Sequence, residues 1–194
     1  MIIRSVDFAG SLVQPGAPFP GTLPQIALSG RSNVGKSSLI NTLLGRTRKR
    51  EARVSARPGK TRALNFFEVN GAFFLVDLPG YGYAEVPDEV RDSWMRMVTW
   101  YLASGGPAAV VQLIDSRHDP TEADESRLEL LADVGVPTVV ALTKVDKLRG
   151  ARRRYLTERV CSRLSIDEEQ VICFSSRTGE GRSELLEAVA ALSL

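Results

Sequence analysis

The stretch that decides the fold runs from residue 25 to residue 45 and reads Gln25-Ile-Ala-Leu-Ser-Gly30-Arg-Ser-Asn-Val-Gly35-Lys36-Ser37-Ser-Leu-Ile-Asn-Thr-Leu-Leu-Gly45. It begins with a short aliphatic run, continues in a glycine loop that closes on Lys-Ser, and ends with apolar residues at helical spacing. This order predicts a β-strand, a phosphate-binding loop and an α-helix. The loop motif therefore lies in the context that it requires.

The residue types of this loop suit a polyphosphate. Glycines let backbone N–H groups turn inward, and the N-terminus of the following helix directs its positive dipole end at the same place. Lys36 supplies an ammonium group for the β- and γ-phosphates, and the Ser37 hydroxyl can ligate Mg²⁺. A glycine turn without a nucleotide is the alternative. The residues expected to contact the nucleotide here are Gly30, Arg31, Ser32, Asn33, Val34, Gly35, Lys36, Ser37 and Ser38.

The size of the chain favours one domain. It has 194 residues, of which 43% are hydrophobic, enough for one buried core. We expect residues 1–24, with four prolines among glycines, to be an N-terminal arm packed on a domain that spans residues 25–194. Without an apolar run of about 18 residues or a secretory signal, we expect a cytoplasmic monomer with no membrane partner.

Positive charge is concentrated in two segments. The net charge of the chain is only +2, but residues 46–62 hold eight Lys or Arg and one Glu, and residues 147–154 hold five positive side chains. Both segments are candidate contacts for RNA phosphates, although a run of charge is usually only a solvated surface. The first also reads as a long loop, and long loops in compact domains are usually functional.

The remaining pattern predicts an α/β fold. Asn70-Gly71 lies between two apolar runs and indicates a hairpin, and strands and helices then alternate along the chain. We therefore expect a P-loop NTPase fold of the Ras-like G-domain type: a mostly parallel six-stranded sheet with one antiparallel strand and helices on both faces. Ligands of such sheets collect at the carboxyl ends of the strands.

Three further motifs follow predicted strands and should meet at that edge. Asp77 would orient Mg²⁺ through a water, and the Gly80 N–H would contact the γ-phosphate. Asp146 can accept hydrogen bonds from N1–H and the 2-amino group of guanine, donors that adenine lacks. The stem of Lys144 can lie along the base, and a backbone N–H near Ser176 can reach the guanine carbonyl. The three motifs are Asp77, Leu78, Pro79 and Gly80; Thr143, Lys144, Val145 and Asp146; and Phe174, Ser175 and Ser176.

Thr61 is the predicted second hydroxyl on Mg²⁺, ordered when the γ-phosphate is present, although it could only cap the next strand. Its neighbours in this nucleotide-binding segment are Gly59, Lys60, Arg62 and Ala63. Metal ligands would then be Ser37, Thr61 and Asp77, and catalytic groups Lys36, Thr61, Gly80 and Asn33.

Hydrolysis without a partner is expected to be slow. Tyr81 follows the glycine of the DxxG motif, where many small GTPases carry the glutamine that orients water. Asn33 could coordinate a K⁺ ion that supplies positive charge in the transition state. The alternative is that Asn33 only shapes the loop.

The chain resembles the EngB (YihA/YsxC) family of ribosome-assembly GTPases, within the TrmE-Era-EngA-EngB-Septin-like GTPases. The resemblance covers about residues 24–192. It rests on the segments 30–41, Pro58-Gly-Lys-Thr-Arg62, Asn65-Phe-Phe67, Asp77-Leu-Pro-Gly-Tyr-Gly-Tyr-Ala84, Thr143-Lys-Val-Asp-Lys147 and Phe174-Ser-Ser176. It implies binding of GTP or GDP with Mg²⁺, association with the large ribosomal subunit and its rRNA, and a link to cell division and septation.

The residues themselves predict a guanine-nucleotide switch. An alternative is an RNA-binding assembly module that uses GTP as a structural ligand with negligible turnover. An ATP-dependent small-molecule kinase is disfavoured by Asp146 and by the lack of a substrate domain.

Overall fold

The computed structural model describes residues 1–45, 63–82 and 88–193, and these residues form seven strands and six α-helices. The strands are β1 (Val6–Leu12), β2 (Gln25–Gly30), β3 (Leu64–Val69), β4 (Phe73–Asp77), β5 (Ala109–Asp115), β6 (Thr138–Thr143) and β7 (Val171–Cys173). The helices are α1 (Lys36–Leu44), α2 (Asp88–Ala103), α3 (Glu122–Asp133), α4 (Gly150–Arg154), α5 (Leu156–Leu164) and α6 (Arg182–Leu192).

All seven strands belong to one sheet, in the order β1-β3-β4-β2-β5-β6-β7. Strands β4, β2, β5, β6 and β7 are parallel neighbours, and β3 is antiparallel to both β4 and β1. The predicted α/β fold with one antiparallel strand is thus confirmed. The sheet has seven strands rather than the predicted six.

The additional strand is β1, which pairs with β3 from Val6 opposite Val69 to Leu12 opposite Leu64. It comes from the segment for which the sequence predicted only an extended arm. Most of its side chains are exposed or half-buried, because it lies at the edge of the sheet, so its apolar pattern is weak.

The hairpin between β3 and β4 turns at Asn70 and Gly71, as predicted. Both residues have positive φ, 56° and 64°, and the Ala72 N–H donates to the Val69 carbonyl at 2.9 Å. Positive φ at both central positions matches the right-handed twist of the strands, which explains the Asn-Gly pair.

Helices cover both faces of the sheet. Helices α1 and α6 pack on one face, and α2, α3 and α5 pack on the other. Strand β2 is buried at every position, because it is central and covered on both sides. The phosphate loop therefore starts from a strand end that is packed on both faces of the sheet. Among the described helices, none combines the length and apolar character needed to cross a membrane.

Candidate nucleotide site

The phosphate loop joins β2 to α1 in a conformation that its glycines permit. Gly35 has φ 109°, which L side chains rarely adopt, and its carbonyl accepts the first helical hydrogen bond from the Leu39 N–H at 2.8 Å. Gly30 is needed for a different reason, since a Cβ there would lie 3.0 Å from side-chain atoms of Leu113 and Val34. The predicted loop and helix start are therefore present.

Lys36 and Asp77 meet at the mouth of this loop. The ammonium group of Lys36 donates to Oδ1 of Asp77, and the Asp77 side chain is fully buried at the end of β4. Its Oδ2 has no hydrogen-bond partner within the described residues. Ser37 lies next to Lys36 in the first turn of α1 and is half-buried.

This donor set fits Mg²⁺. A buried carboxylate with one unsatisfied oxygen is costly unless a cation or an ordered water completes it. Mg²⁺ keeps several waters and takes one or two protein oxygens together with substrate phosphates, so Asp77 and Ser37 would be sufficient from this part of the chain.

The segment after β4 lies against the phosphate loop. The Ser32 N–H donates to the Tyr81 carbonyl at 2.8 Å, and the Tyr81 N–H donates to the Gly30 carbonyl at 3.3 Å. A Cβ on Gly80 would be 3.3 Å from the Ser32 nitrogen, so this approach is close for any larger residue. The structure thus brings Gly80 beside the loop, as the sequence predicted.

Asp146 and Ser175 lie together at the end of the site that is predicted to hold the base. Ser175 is fully buried, and its hydroxyl donates to Oδ1 of Asp146 at 2.8 Å. Oδ2 of Asp146 is buried and accepts no hydrogen bond from the described residues; the ammonium of Lys147 is 3.9 Å away. A fixed carboxylate with free acceptor capacity can receive the paired donors of guanine.

Two side chains of the segment 143–146 donate hydrogen bonds to the phosphate loop. The Thr143 hydroxyl donates to the Val34 carbonyl at 2.6 Å, and the Lys144 ammonium donates to the Asn33 carbonyl at 2.7 Å. Lys144 itself has positive φ, 61°, which carries the chain sharply away from β6. The stem of Lys144 therefore crosses the space between the two loops.

Asp115, at the end of β5, is a site residue that sequence reasoning missed. Its carboxylate accepts from the Lys144 ammonium at 2.8 Å and from two nitrogens of Arg117 at 2.9 and 2.7 Å. Burial opposes ionisation, but the hydrogen bonds from Arg117 and Lys144 outweigh it and hold the pKa of Asp115 well below its usual range. Its position at the carboxyl end of a parallel strand was the available signal.

Tyr81 is the second residue whose role was missed. Its hydroxyl donates to Oδ1 of Asp124 at 2.8 Å and accepts from Nε2 of Gln112 at 2.6 Å, so the side chain is fixed between β5 and α3. Burial, reinforced by the charge of Asp124, raises the pKa of Tyr81 far above its ordinary value. A phenol held in this way is not free to orient water at the γ-phosphate.

Some predicted contacts can involve only the backbone. The side chains of four predicted contact residues lie in the core, so their main-chain groups alone can face a nucleotide; these residues are Val34, Leu78, Val145 and Phe174. Arg31, Asn33, Ser38 and Ser176 are exposed, Ser32 is half-buried, and Pro79 is buried. Asn33 has φ 63°, which agrees with a loop-shaping role and leaves its proposed contact with K⁺ a prediction.

The predictions for Gly59, Lys60, Thr61 and Arg62, and for the basic segment 46–62, lie outside the described residues. Ala63 is half-buried just before β3. The second basic segment ends in α4, where Arg152 and Arg154 are exposed and Arg153 pairs with Glu180.

Comparison with known proteins agrees with this geometry. A family model described as a 50S ribosome-binding GTPase matches residues 25–144, and a model of the elongation factor Tu GTP-binding domain matches residues 103–193. Fold and site together define a P-loop GTPase, a protein that binds GTP and GDP and belongs to a class that hydrolyses GTP.

Relatives place the chain more narrowly. A probable GTP-binding protein EngB of Gemmatimonas aurantiaca is 48% identical over 194 residues, which are 99% of this chain and 94% of that protein. Another from Pelotomaculum thermopropionicum is 45% identical over 97% of this chain and 96% of that protein. The chain belongs to the EngB family of GTP-binding proteins.

Solved structures show the same fold. A crystal structure of a probable EngB protein matches 87% of this chain and 97% of its own, with a TM-score of 0.71 and 20% identity. The G domain of the T. maritima FeoB iron transporter matches 89% of this chain and all of its own, with a TM-score of 0.60 and 27% identity.

Proposed function

We propose that this GTPase is a nucleotide switch in assembly of the large ribosomal subunit in the cytoplasm, and that normal cell division and septation depend on it. The observation that supports this proposal is the position of Asp146. Its carboxylate accepts from the Ser175 hydroxyl, and its neighbours Lys144 and Thr143 donate hydrogen bonds to the phosphate loop. The ribosomal partner is supported by the family model matched at residues 25–144 and by the two basic segments.

The residues divide the work by position. Lys36, now paired with Asp77, would bind the β- and γ-phosphates, while Asp77, Ser37 and Thr61 would hold Mg²⁺. Bound Mg²⁺ would neutralise charge that develops on the phosphates. Gly80 would donate its N–H to the γ-phosphate, and segments 46–62 and 77–90 would change with the nucleotide.

Slow hydrolysis without a partner is part of the proposal. Position 81 carries tyrosine in place of the glutamine that orients the attacking water in many small GTPases. The Tyr81 hydroxyl is held by Asp124 and Gln112, so this side chain is not free to orient that water. Asn33 could hold a K⁺ ion over the phosphates. Equal rates of hydrolysis in potassium and sodium buffers would contradict the role of K⁺.

Guanine recognition is tested by Asp146→Asn. The variant loses a charged acceptor for two guanine donors, and we expect GTP affinity to fall about 100-fold or more. Xanthosine triphosphate, which presents a carbonyl in place of the 2-amino group, should gain affinity. Calorimetric titration of the parent protein and the variant with both nucleotides measures whether the preference changes from GTP to xanthosine triphosphate. Similar binding of ATP and GTP by the unaltered protein would overturn the assignment.

The ribosomal role is tested by cosedimentation with large-subunit precursors at several salt concentrations, with GDP or with a non-hydrolysable GTP analogue. Tighter, salt-sensitive association with the analogue is expected, because charged contacts to RNA release counterions. Phosphate release with and without particles then separates a switch from a module that only binds GTP. Stimulated release supports the switch, and unchanged, negligible release supports the module.

A further inference from the structure

A cavity of about 370 Å³ lies between residues 79–82, helix α2 and helix α3. Its lining includes Pro79 and Gly80 of the predicted γ-phosphate segment, but no residue of the phosphate loop or of the two segments that would hold guanine. Most of the wall is apolar, and it includes Trp94, Met95, Val98 and Leu130. Its volume is within the range of pockets that hold small organic molecules.

Among the described residues that line this cavity, one carries a charge, and it is Arg127. The residue is only 5% exposed, and its Cζ lies 5.1 Å from the centre of the Tyr81 ring. Nη2 donates to the thioether of Met95 at 3.5 Å, a weak acceptor, and Nη1 is buried with no hydrogen-bond partner among the described residues.

Within the part of the chain that the structure describes, no neighbouring carboxylate pairs with this cation. Asp124, on the preceding turn of α3, accepts from the Tyr81 hydroxyl and from both the N–H and the hydroxyl of Thr121. Burial lowers the pKa of Arg127, and no described acidic side chain offsets that effect with an ion pair. A buried unpaired guanidinium is costly, and an anion supplied from outside would offset that cost.

We propose that this cavity is a binding site for small aromatic carboxylates, with the carboxylate on the guanidinium of Arg127 and the ring against Trp94 and Val98. The combination of an apolar wall and a single buried donor selects both parts of such a ligand. The site goes beyond the proposed function, because none of the residues that would recognise guanine lines it.

The test uses 4-tert-butylbenzoate and its neutral isostere 4-tert-butylbenzamide on the full chain saturated with GDP. Binding is followed by calorimetry and by the fluorescence of Trp94 in a Trp100→Phe background, since the chain has only these two tryptophans. We expect the carboxylate to bind at least about tenfold more tightly than the amide, the usual advantage of a charge-assisted hydrogen bond.

Variants locate the site. Arg127→Met should abolish the preference for the carboxylate, and Ser126→Leu, which narrows the cavity from α3, should weaken both probes. Ser162→Leu makes the same change at an exposed position of α5 that does not line this cavity, and it should have no effect. GDP binding reports folding of each variant; if Arg127→Met does not fold, Ser126→Leu decides.

Three results would overturn the proposal. They are no binding of the carboxylate by the unaltered protein at millimolar concentration, equal affinity for the two probes, and unchanged binding in Ser126→Leu. Because GTP affinity is measured separately, loss of guanine recognition would count against the proposed function and not against this cavity.

Discussion

At the scale of single residues, the geometry of Asp146 depends on Ser175. The Ser175 hydroxyl donates to the carboxylate and accepts from the backbone N–H groups of Arg177 and Thr178, each at 3.2 Å. One buried oxygen therefore holds the side chain that we propose to recognise the base, and it also accepts hydrogen bonds from the following loop. Such a residue acts through Asp146 and is a positioning residue.

We expect Ser175→Ala to lower GTP affinity about tenfold, the effect of losing one hydrogen bond to a charged group. ITC with GTP and with xanthosine triphosphate measures it, and the preference for GTP should remain, because Asp146 is intact. Ser176→Ala is the matched control, since Ser176 is exposed. Equal effects of the two changes would refute the positioning role.

Half-buried Tyr81 and fully buried Tyr101 differ in the hydrogen bonds of their hydroxyl groups. The Tyr81 hydroxyl contacts Asp124 and Gln112, whereas the Tyr101 hydroxyl is buried without a partner among the described residues. Tyr81→Phe should lower the free energy of unfolding by about 1–3 kcal/mol, because it removes the hydrogen bonds of the hydroxyl to the buried side chains of Asp124 and Gln112. Tyr101→Phe should be neutral or stabilising. Urea unfolding measures the free energy of unfolding of each variant. A larger loss in Tyr101→Phe than in Tyr81→Phe would contradict the different roles given to the two hydroxyl groups.

Both tyrosines also predict a response to alkali. Burial raises the pKa of Tyr81 and of Tyr101 above the ordinary value of about 10, so above that pH the unfolded chain binds fewer protons than the folded chain. The associated stability is complete below pH 10 and is lost as the pH rises. The unfolding free energy should fall above pH 10, less steeply in Tyr101→Phe than in the parent protein.

At the scale of elements, the β3–β4 turn also holds residues 2–5 by hydrogen bonds. The Asn70 side chain accepts from the N–H groups of Arg4 and Ser5 at 2.7 and 3.1 Å and donates to the Ile2 carbonyl at 2.9 Å. A single turn residue thus joins the hairpin to the chain that enters β1.

Replacing Asn70 separates the two roles. Asn70→Ala should cost about 1–3 kcal/mol of unfolding free energy, because it removes these hydrogen bonds and places alanine at positive φ. Asn70→Gly keeps the turn and should cost less. Guanidinium unfolding measures both, and GTP affinity should not change. A larger loss in the glycine variant would show that the turn conformation is not the strained part.

At the scale of the whole molecule, the exposed basic side chains of segment 147–154 lie in α4 and immediately before it. Arg149 and Arg154 are exposed, and the first turn of α4 holds no acidic residue. Changing both to Gln should weaken association with large-subunit precursors and make it less sensitive to salt, by about one unit of log–log slope for each phosphate no longer neutralised. GTP affinity should be unaffected. Arg177→Gln, an exposed arginine outside this segment, is the control, and an equal effect there would argue for nonspecific charge.

Local pattern was sufficient for several parts of the fold and site. The phosphate loop, the Asn70-Gly71 turn and the strand-end positions of Asp77 and Asp146 follow from residue types that a short segment needs for its own backbone geometry or chemistry. The buried central strands also show continuous apolar runs, so the α/β class could be predicted.

The sequence by itself therefore determined the class of fold, the phosphate loop and the hairpin, because each is encoded within a few consecutive residues. Only the tertiary structure decided that β1 completes the sheet, that Ser175 fixes Asp146, and that Asp115 pairs with Lys144. It also decided that Tyr81 turns toward Asp124. The physical reason is that the contacts of Ser175, Asp115 and Tyr81 join side chains 29 to 43 positions apart, and those of β1 join segments more than 50 positions apart. Their strength depends on burial and register, which no local pattern records.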